Sequence, residues 1–129
     1  MDKPRLIAVD DELEMAALIA ELGEMVGYES EIAGSGKALL DSEARQCHDV
    51  IVIDLLMPDT DGFELITTLA DQGCTAAIIM VSGYDETLLR GAGKIADASG
   101  LNLLGTLTKP FHLDEVKALL QQAFNGKAV

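Results

Sequence analysis

Four short apolar runs punctuate the chain: Leu6-Ile7-Ala8-Val9, Val50-Ile51-Val52-Ile53, Ala77-Ile78-Ile79-Met80-Val81, and a weaker one from Leu103-Leu104 to Leu107. Each is rich in branched aliphatics and too short to be a buried helix, which predicts strands covered on both faces. A fifth, more polar strand is expected from Tyr28 to Ala33, at the sheet edge. Between the runs the period changes to that of a helix. Met15, Leu18, Ile19, Leu22, Met25 and Val26 form one stripe, closed by Gly27 as a C-cap. Leu65, Ile66 and Leu69 form a second, with Asp61 as N-cap and Gly73 as stop. Leu113, Val116, Leu119, Leu120 and Ala123 form the last, while Lys37 to Arg45 and Asp85 to Ala98 fill the remaining gaps. Strand and helix alternate five times, so the predicted architecture is α/β: an open, doubly wound sandwich with a parallel sheet, right-handed crossovers and helices on both faces. Residues 1–124 read as a single domain and 125–129 as a short tail, with no internal repeat between them.

The chain has 129 residues, which suits one hydrophobic core that needs no disulfide to hold it. Its two cysteines, Cys47 and Cys74, read as small fillers or exposed thiols, and the Cys47-His48 pair alone is a poor metal site. Nine basic residues against 22 acidic ones give a net charge of −13. Phosphates would be repelled at long range, which argues against direct nucleic-acid binding and against anionic membranes, and favours a protein that gathers cations. No apolar run approaches the roughly 20 residues of a membrane span, and Met1-Asp2-Lys3-Pro4 does not resemble a signal peptide, so a cytoplasmic protein is expected.

In an open parallel sheet the ligand site lies beyond the carboxyl ends of the strands. There the sequence places Asp10 and Asp11 after the first run, Asp54 after the Val50 run, Ser82 after the Ala77 run, and Lys109-Pro110 after the last. Unit charges about 4 Å apart repel by about 4 kcal/mol at an effective dielectric of 20, so three such carboxylates must take up a proton or bind a cation. Carboxylate, carbonyl and water oxygens suit Mg²⁺ better than Zn²⁺, and no His or Cys stands on this edge. A divalent cation, the Lys109 amine and the Ser82 hydroxyl around one carboxylate could hold a tetrahedral phosphoryl group, with Asp54 as the nucleophile that forms an aspartyl phosphate.

Four segments then carry a family likeness: Val9-Asp10-Asp11-Glu12, Asp54-Leu55-Leu56-Met57-Pro58-Asp59-Thr60-Asp61-Gly62, Val81-Ser82-Gly83 and Thr108-Lys109-Pro110-Phe111. Together, in this order, they resemble the receiver domain of two-component response regulators over essentially the whole chain. The resemblance implies a flavodoxin-like (βα)5 fold with strand order 2-1-3-4-5. It further implies that Asp54 accepts a phosphoryl group from a sensor histidine kinase or phosphotransfer protein, and that Asp10, Asp11, Asp54 and the Leu56 backbone carbonyl hold Mg²⁺. Lys109 and Ser82 would clamp the phosphoryl group, Tyr84 and Leu56 would tune its lifetime, and the Lys109–Pro110 peptide would be cis. The change of shape would reach an output domain or partner protein through the face formed by the fourth helix, fifth strand and fifth helix. A phosphorylation-dependent homodimer is a further partner the resemblance admits.

Two positions depart from the pattern. Thr106 stands where similar receivers carry a Tyr or Phe that swings inward, and Ser82 to Lys109 spans 27 positions, an excess expected in a longer fourth helix and connection through Leu88, Ile95 and Leu101. Gly105 to Pro110 also resembles receivers that precede EAL-type cyclic-di-GMP phosphodiesterase domains, which makes such a domain one candidate output. Two other functions share the chemistry. A small Mg²⁺-dependent phosphatase forming an aspartyl phosphate would need an acid/base carboxylate two residues after the nucleophile, where Leu56 stands. A phosphorylation-independent binding module of the same fold tends to lose an acidic or lysine position, and none is lost here. Asp59 and Asp61 read as turn and cap residues, and His112 as structural or exposed.

Overall fold

The computed structural model describes residues 3–45, 48–58, 60–83 and 86–127. The elements are β1 (Arg5–Val9), α1 (Leu13–Val26), β2 (Glu29–Ala33), α2 (Gly36–Arg45), β3 (Val50–Asp54), β4 (Leu56–Met57), β5 (Thr60–Asp61), α3 (Gly62–Asp71), β6 (Ala77–Ser82), α4 (Glu86–Ala98), β7 (Asn102–Thr108) and α5 (Leu113–Lys127). The main sheet has the order β2-β1-β3-β6-β7 and every pairing in it is parallel. This is the anticipated 2-1-3-4-5 order; β4 and β5 form a separate antiparallel hairpin and only shift the numbering.

Alternation along the strands sorts the core into two layers. Ile7, Val9, Ile51, Ile53, Ile78 and Met80 point to the side covered by Leu39 of α2, by Leu65, Ile66 and Leu69 of α3, and by Leu89, Ala92 and Ala96 of α4. Leu6, Ala8, Val50, Val52, Ile79 and Val81 point the other way, beneath Ala16, Ile19 and Leu22 of α1 and Val116 and Leu120 of α5. Full burial of an Ile, Leu or Val contributes about 1.5–3 kcal/mol, so the strands cannot slip by one residue without exposing a whole layer.

The caps fall where the sequence puts them. Asp61 accepts from the N–H groups of Phe63 and Glu64 at the start of α3, and Gly27 ends α1 with φ 128°. Met25, assigned to the apolar stripe, is instead 68% exposed. Between Ser82 and Lys109 the structure has a 13-residue α4 and a β-bulge: Ile78 pairs with Leu103 but Ile79 with Gly105, leaving Leu104 as an additional residue. Asn125 to Lys127, within the stretch read as a short tail, continue α5. Asp59, Tyr84 and Cys47 lie outside the described residues.

Candidate functional site

Sheet register brings the acidic residues together. β1 and β3 run side by side with Val9 opposite Ile53, so the next residues, Asp10 and Asp54, emerge at the same rim. One carboxylate oxygen from each of Asp10, Asp11 and Asp54 lies within 4.8 Å of the other two. Asp10 and Asp54 are buried at 2% and 4% exposure, whereas Asp11 is exposed. Two charges are therefore held by the sheet, and the third opens the cluster to solvent.

Each buried carboxylate is aimed by its own backbone. Asp10 Oδ1 accepts the N–H of Glu12 at 2.9 Å, and Asp54 Oδ1 accepts the N–H of Leu56 at 3.0 Å. Their other oxygens face Lys109, whose Nζ lies 3.2 Å from Asp10 Oδ2 and 3.1 Å from Asp54 Oδ2. Burial, joined by the charge of Asp54, holds the Asp10 carboxyl above its ordinary range against the opposing pull of the Glu12 N–H and of Lys109. For Lys109, burial favours the neutral amine but is outweighed by Asp54 and then Asp10, so its pKa is raised. The lysine is a fixed ammonium at neutral pH.

Ser82 ends the neighbouring strand. It is fully buried at the end of β6, one residue beyond Val81, the register partner of Asp54. Its carbonyl accepts the N–H of Lys109 at 2.7 Å, so β6 and β7 deliver Ser82 and Lys109 to the same edge. The Lys109–Pro110 peptide is cis, as anticipated. Leu56 is 51% exposed beside Gly83, where an added methyl would lie 3.8 Å from Leu56 Cδ1. Thr106 is exposed on β7, and Glu12 and His112 are exposed as well. The donors Glu12 N–H and Leu56 N–H were not legible beforehand, because a backbone amide carries no residue signature.

Three hard oxygen donors grouped in this way are compatible with a divalent cation such as Mg²⁺, which together with the adjoining ammonium would balance the three carboxylate charges. The family model for the response regulator receiver domain matches residues 6–121. The chain belongs to that family. Response regulator MprA of Mycobacterium leprae is 32% identical over 117 residues, which cover 91% of this chain and 49% of MprA. Transcriptional regulatory protein TcrA of Mycobacterium tuberculosis is 30% identical, with 91% and 44% covered. The chain thus spans about half the length of the curated relatives it matches. The receiver domain of Francisella response regulator 1452 superposes with a TM-score of 0.81 at 29% identity, covering 96% of this chain and 98% of that one. Receiver domains are signalling modules that work with histidine kinases and output domains and use Mg²⁺ at the acidic pocket. Among the described residues, no helix is long and apolar enough to cross a membrane.

Proposed function

We propose that Asp54 is the phosphoryl acceptor of this receiver. The observation that carries the reading is the position of Lys109 Nζ, in hydrogen-bond reach of both Asp54 and Asp10, beside a rim where Asp11 completes the carboxylate cluster. With Leu56 N–H holding Oδ1, the attacking oxygen is Oδ2, which faces Lys109 at the rim. The Oδ2–P bond forms as the N–P bond of a kinase or phosphotransfer phosphohistidine breaks, and the electron pair stays with the imidazole nitrogen, which takes up a proton. Asp10, Asp11, Asp54 and the Leu56 carbonyl would hold Mg²⁺, which supplies charge neutralisation for the incoming phosphoryl oxygens. Lys109 holds one phosphoryl oxygen from its side of the rim, and Ser82 donates its hydroxyl to another.

These contacts exist only after transfer, which gives the phosphorylated state its differential stabilisation. The change is read at the face of α4, β7 and α5, where a groove of about 450 Å³ runs between Leu89, Arg90 and Lys94 of α4 and Thr106 of β7. With no ring at Thr106, Ser82 and Lys109 carry the switch. In this reading residues 1–124 act as one receiver domain in the cytoplasm, catalysing only their own phosphorylation and dephosphorylation. The relatives' names support an output domain in general; the Gly105 to Pro110 segment keeps an EAL-type domain as one candidate. A phosphatase reading has only apolar Leu56 where its acid/base group is needed.

The test is exposure of the wild type and Asp54→Asn to acetyl phosphate with Mg²⁺, followed by intact-protein mass spectrometry. The wild type gains one phosphoryl group and the variant none; uptake by the variant overturns the assignment.

A further inference from the structure

A two-strand hairpin lies between Asp54 and α3, and it touches a second part of the molecule. Leu56 pairs with Asp61, and Met57 with Thr60. At one end the Leu56 N–H is bound to Asp54 Oδ1. At the other, Thr60 Oγ1 accepts the N–H of Gly36, the first residue of α2, at 3.3 Å. Two residues further on, Ser35 Oγ accepts the Ala38 N–H at 3.1 Å. One of the orphan donors at the start of α2 is therefore capped from within its own loop and another from the hairpin. The approach is close: a methyl added to Gly36 would lie 2.9 Å from Thr60 Cγ2 and 3.4 Å from both methyls of Leu65. Beside the contact a groove of about 280 Å³ opens between α2 and α3, floored by Leu40 and Leu65.

We propose that Thr60 couples the state of Asp54 to the start of α2, giving the protein a second phosphorylation-responsive face at the α2–α3 groove, away from α4, β7 and α5. The inference rests on Asp54 being the acceptor. While Asp54 is a carboxylate, its hydrogen bond from Leu56 N–H is charge-assisted and about twice as strong as a neutral one. Once Oδ2 carries phosphorus, Oδ1 becomes the carbonyl oxygen of a mixed anhydride and that assistance falls away. The hairpin is then held less firmly at Leu56, and its partner strand carries the change to Thr60. Threonine suits this post because its β-branch fixes the hydroxyl and the methyl together, one on the Gly36 N–H and the other against its Cα. Coupling is reciprocal, so whatever displaces Gly36 also alters the phosphorylated state of Asp54.

The experiment follows the Gly36 amide by ¹⁵N NMR in the full chain, with and without acetyl phosphate and Mg²⁺, while mass spectrometry of the same samples reports the phosphoryl group. Phosphorylation shifts this amide in the wild type and in Thr60→Ser, which keeps the hydroxyl; in the near-isosteric Thr60→Val the shift is lost although phosphorylation proceeds. An unmoved Gly36 amide in phosphorylated wild type, or an undiminished shift in Thr60→Val, overturns the coupling while leaving the acceptor assignment intact. Absence of the phosphoryl group from wild type overturns the acceptor assignment and the coupling with it.

Discussion

Lys109 Nζ lies 3.1 Å from Asp54 Oδ2 across 55 positions of sequence, and the same ammonium reaches Asp10 Oδ2 at 3.2 Å. One cation is thus shared by two buried carboxylates drawn from separate strands. Their negative charge exceeds its own, and the difference is what a divalent cation can neutralise. The lysine is 19% exposed on its side chain, buried enough for the pair to matter and open enough for a phosphoryl oxygen to arrive.

Removal of that ammonium leaves Asp10 and Asp54 facing one another. Lys109→Ala is therefore expected to lower the metal-free unfolding free energy by about 1–3 kcal/mol, and Mg²⁺ is expected to stabilise this variant more than it stabilises the wild type. Urea titrations in chelator and in Mg²⁺ check both parts; a variant as stable as wild type in chelator would show that the ammonium does not offset the repulsion.

Much of this was legible beforehand, and the exceptions have physical causes. Runs such as Val50–Ile53 and Ala77–Val81 announce doubly covered strands because no other setting buries every side chain, and Asp10, Asp54 and Lys109 follow such runs directly. The β4–β5 hairpin stayed hidden because two-residue strands carry no periodicity. The bulge at Leu104 was seen only as surplus length. Tyr28, expected to open an edge strand, is 1% exposed and donates its hydroxyl to the Leu120 carbonyl. No local pattern could pair residues 92 positions apart.

Asp10 gives a pH signature. Its folded pKa is raised by burial and by Asp54, so its favourable contribution is complete below the unfolded value and disappears as pH rises through the folded one. At neutral pH the burial and the repulsion from Asp54 outweigh the pull of the Glu12 N–H and of Lys109. Asp10→Asn keeps an oxygen for the Glu12 N–H and carries no charge, so in chelator it should be more stable than wild type at about pH 7, with the gap closing toward about pH 4. Its gain from Mg²⁺ should vanish, where a site at a hundredfold excess over Kd yields about 2.7 kcal/mol. A metal-free Asp10→Asn that is less stable than wild type at neutral pH would contradict this balance.

At the β2 edge the sign reverses. Glu31 Oε1 lies 2.6 Å from His48 Nε2 and 2.8 Å from Arg5 Nη2. Burial would raise its pKa, but the bonds and charges of His48 and Arg5 outweigh it and hold the carboxyl low. Stability from this group is present above its unfolded value and is lost as pH falls through the folded one. Glu31→Gln should cost no more than about 1 kcal/mol at neutral pH, because a partly exposed pair is screened, and the difference should shrink in acid. Urea midpoints of the two proteins at neutral and acidic pH decide it; a gap that widens in acid would reverse the assigned sign.

The end of α5 is pinned to the α1–β2 turn by a contact that only glycine admits. Gly27 has φ 128°, and a methyl there would lie 2.8 Å and 2.9 Å from two ring atoms of Phe124. That ring is in turn held edge-to-face on Tyr28, with centroids 5.5 Å apart. Gly100 also has a positive φ, 81°, but nothing lies within 4 Å of its added methyl. Gly100→Ala should therefore cost only the backbone strain of about 1–3 kcal/mol, while Gly27→Ala adds displacement of a packed ring. Phe124→Ala removes the obstacle, so the double variant Gly27→Ala with Phe124→Ala should be destabilised by less than the sum of the two single changes. Strict additivity in urea unfolding would mean that the ring moves aside freely when a methyl is added at Gly27.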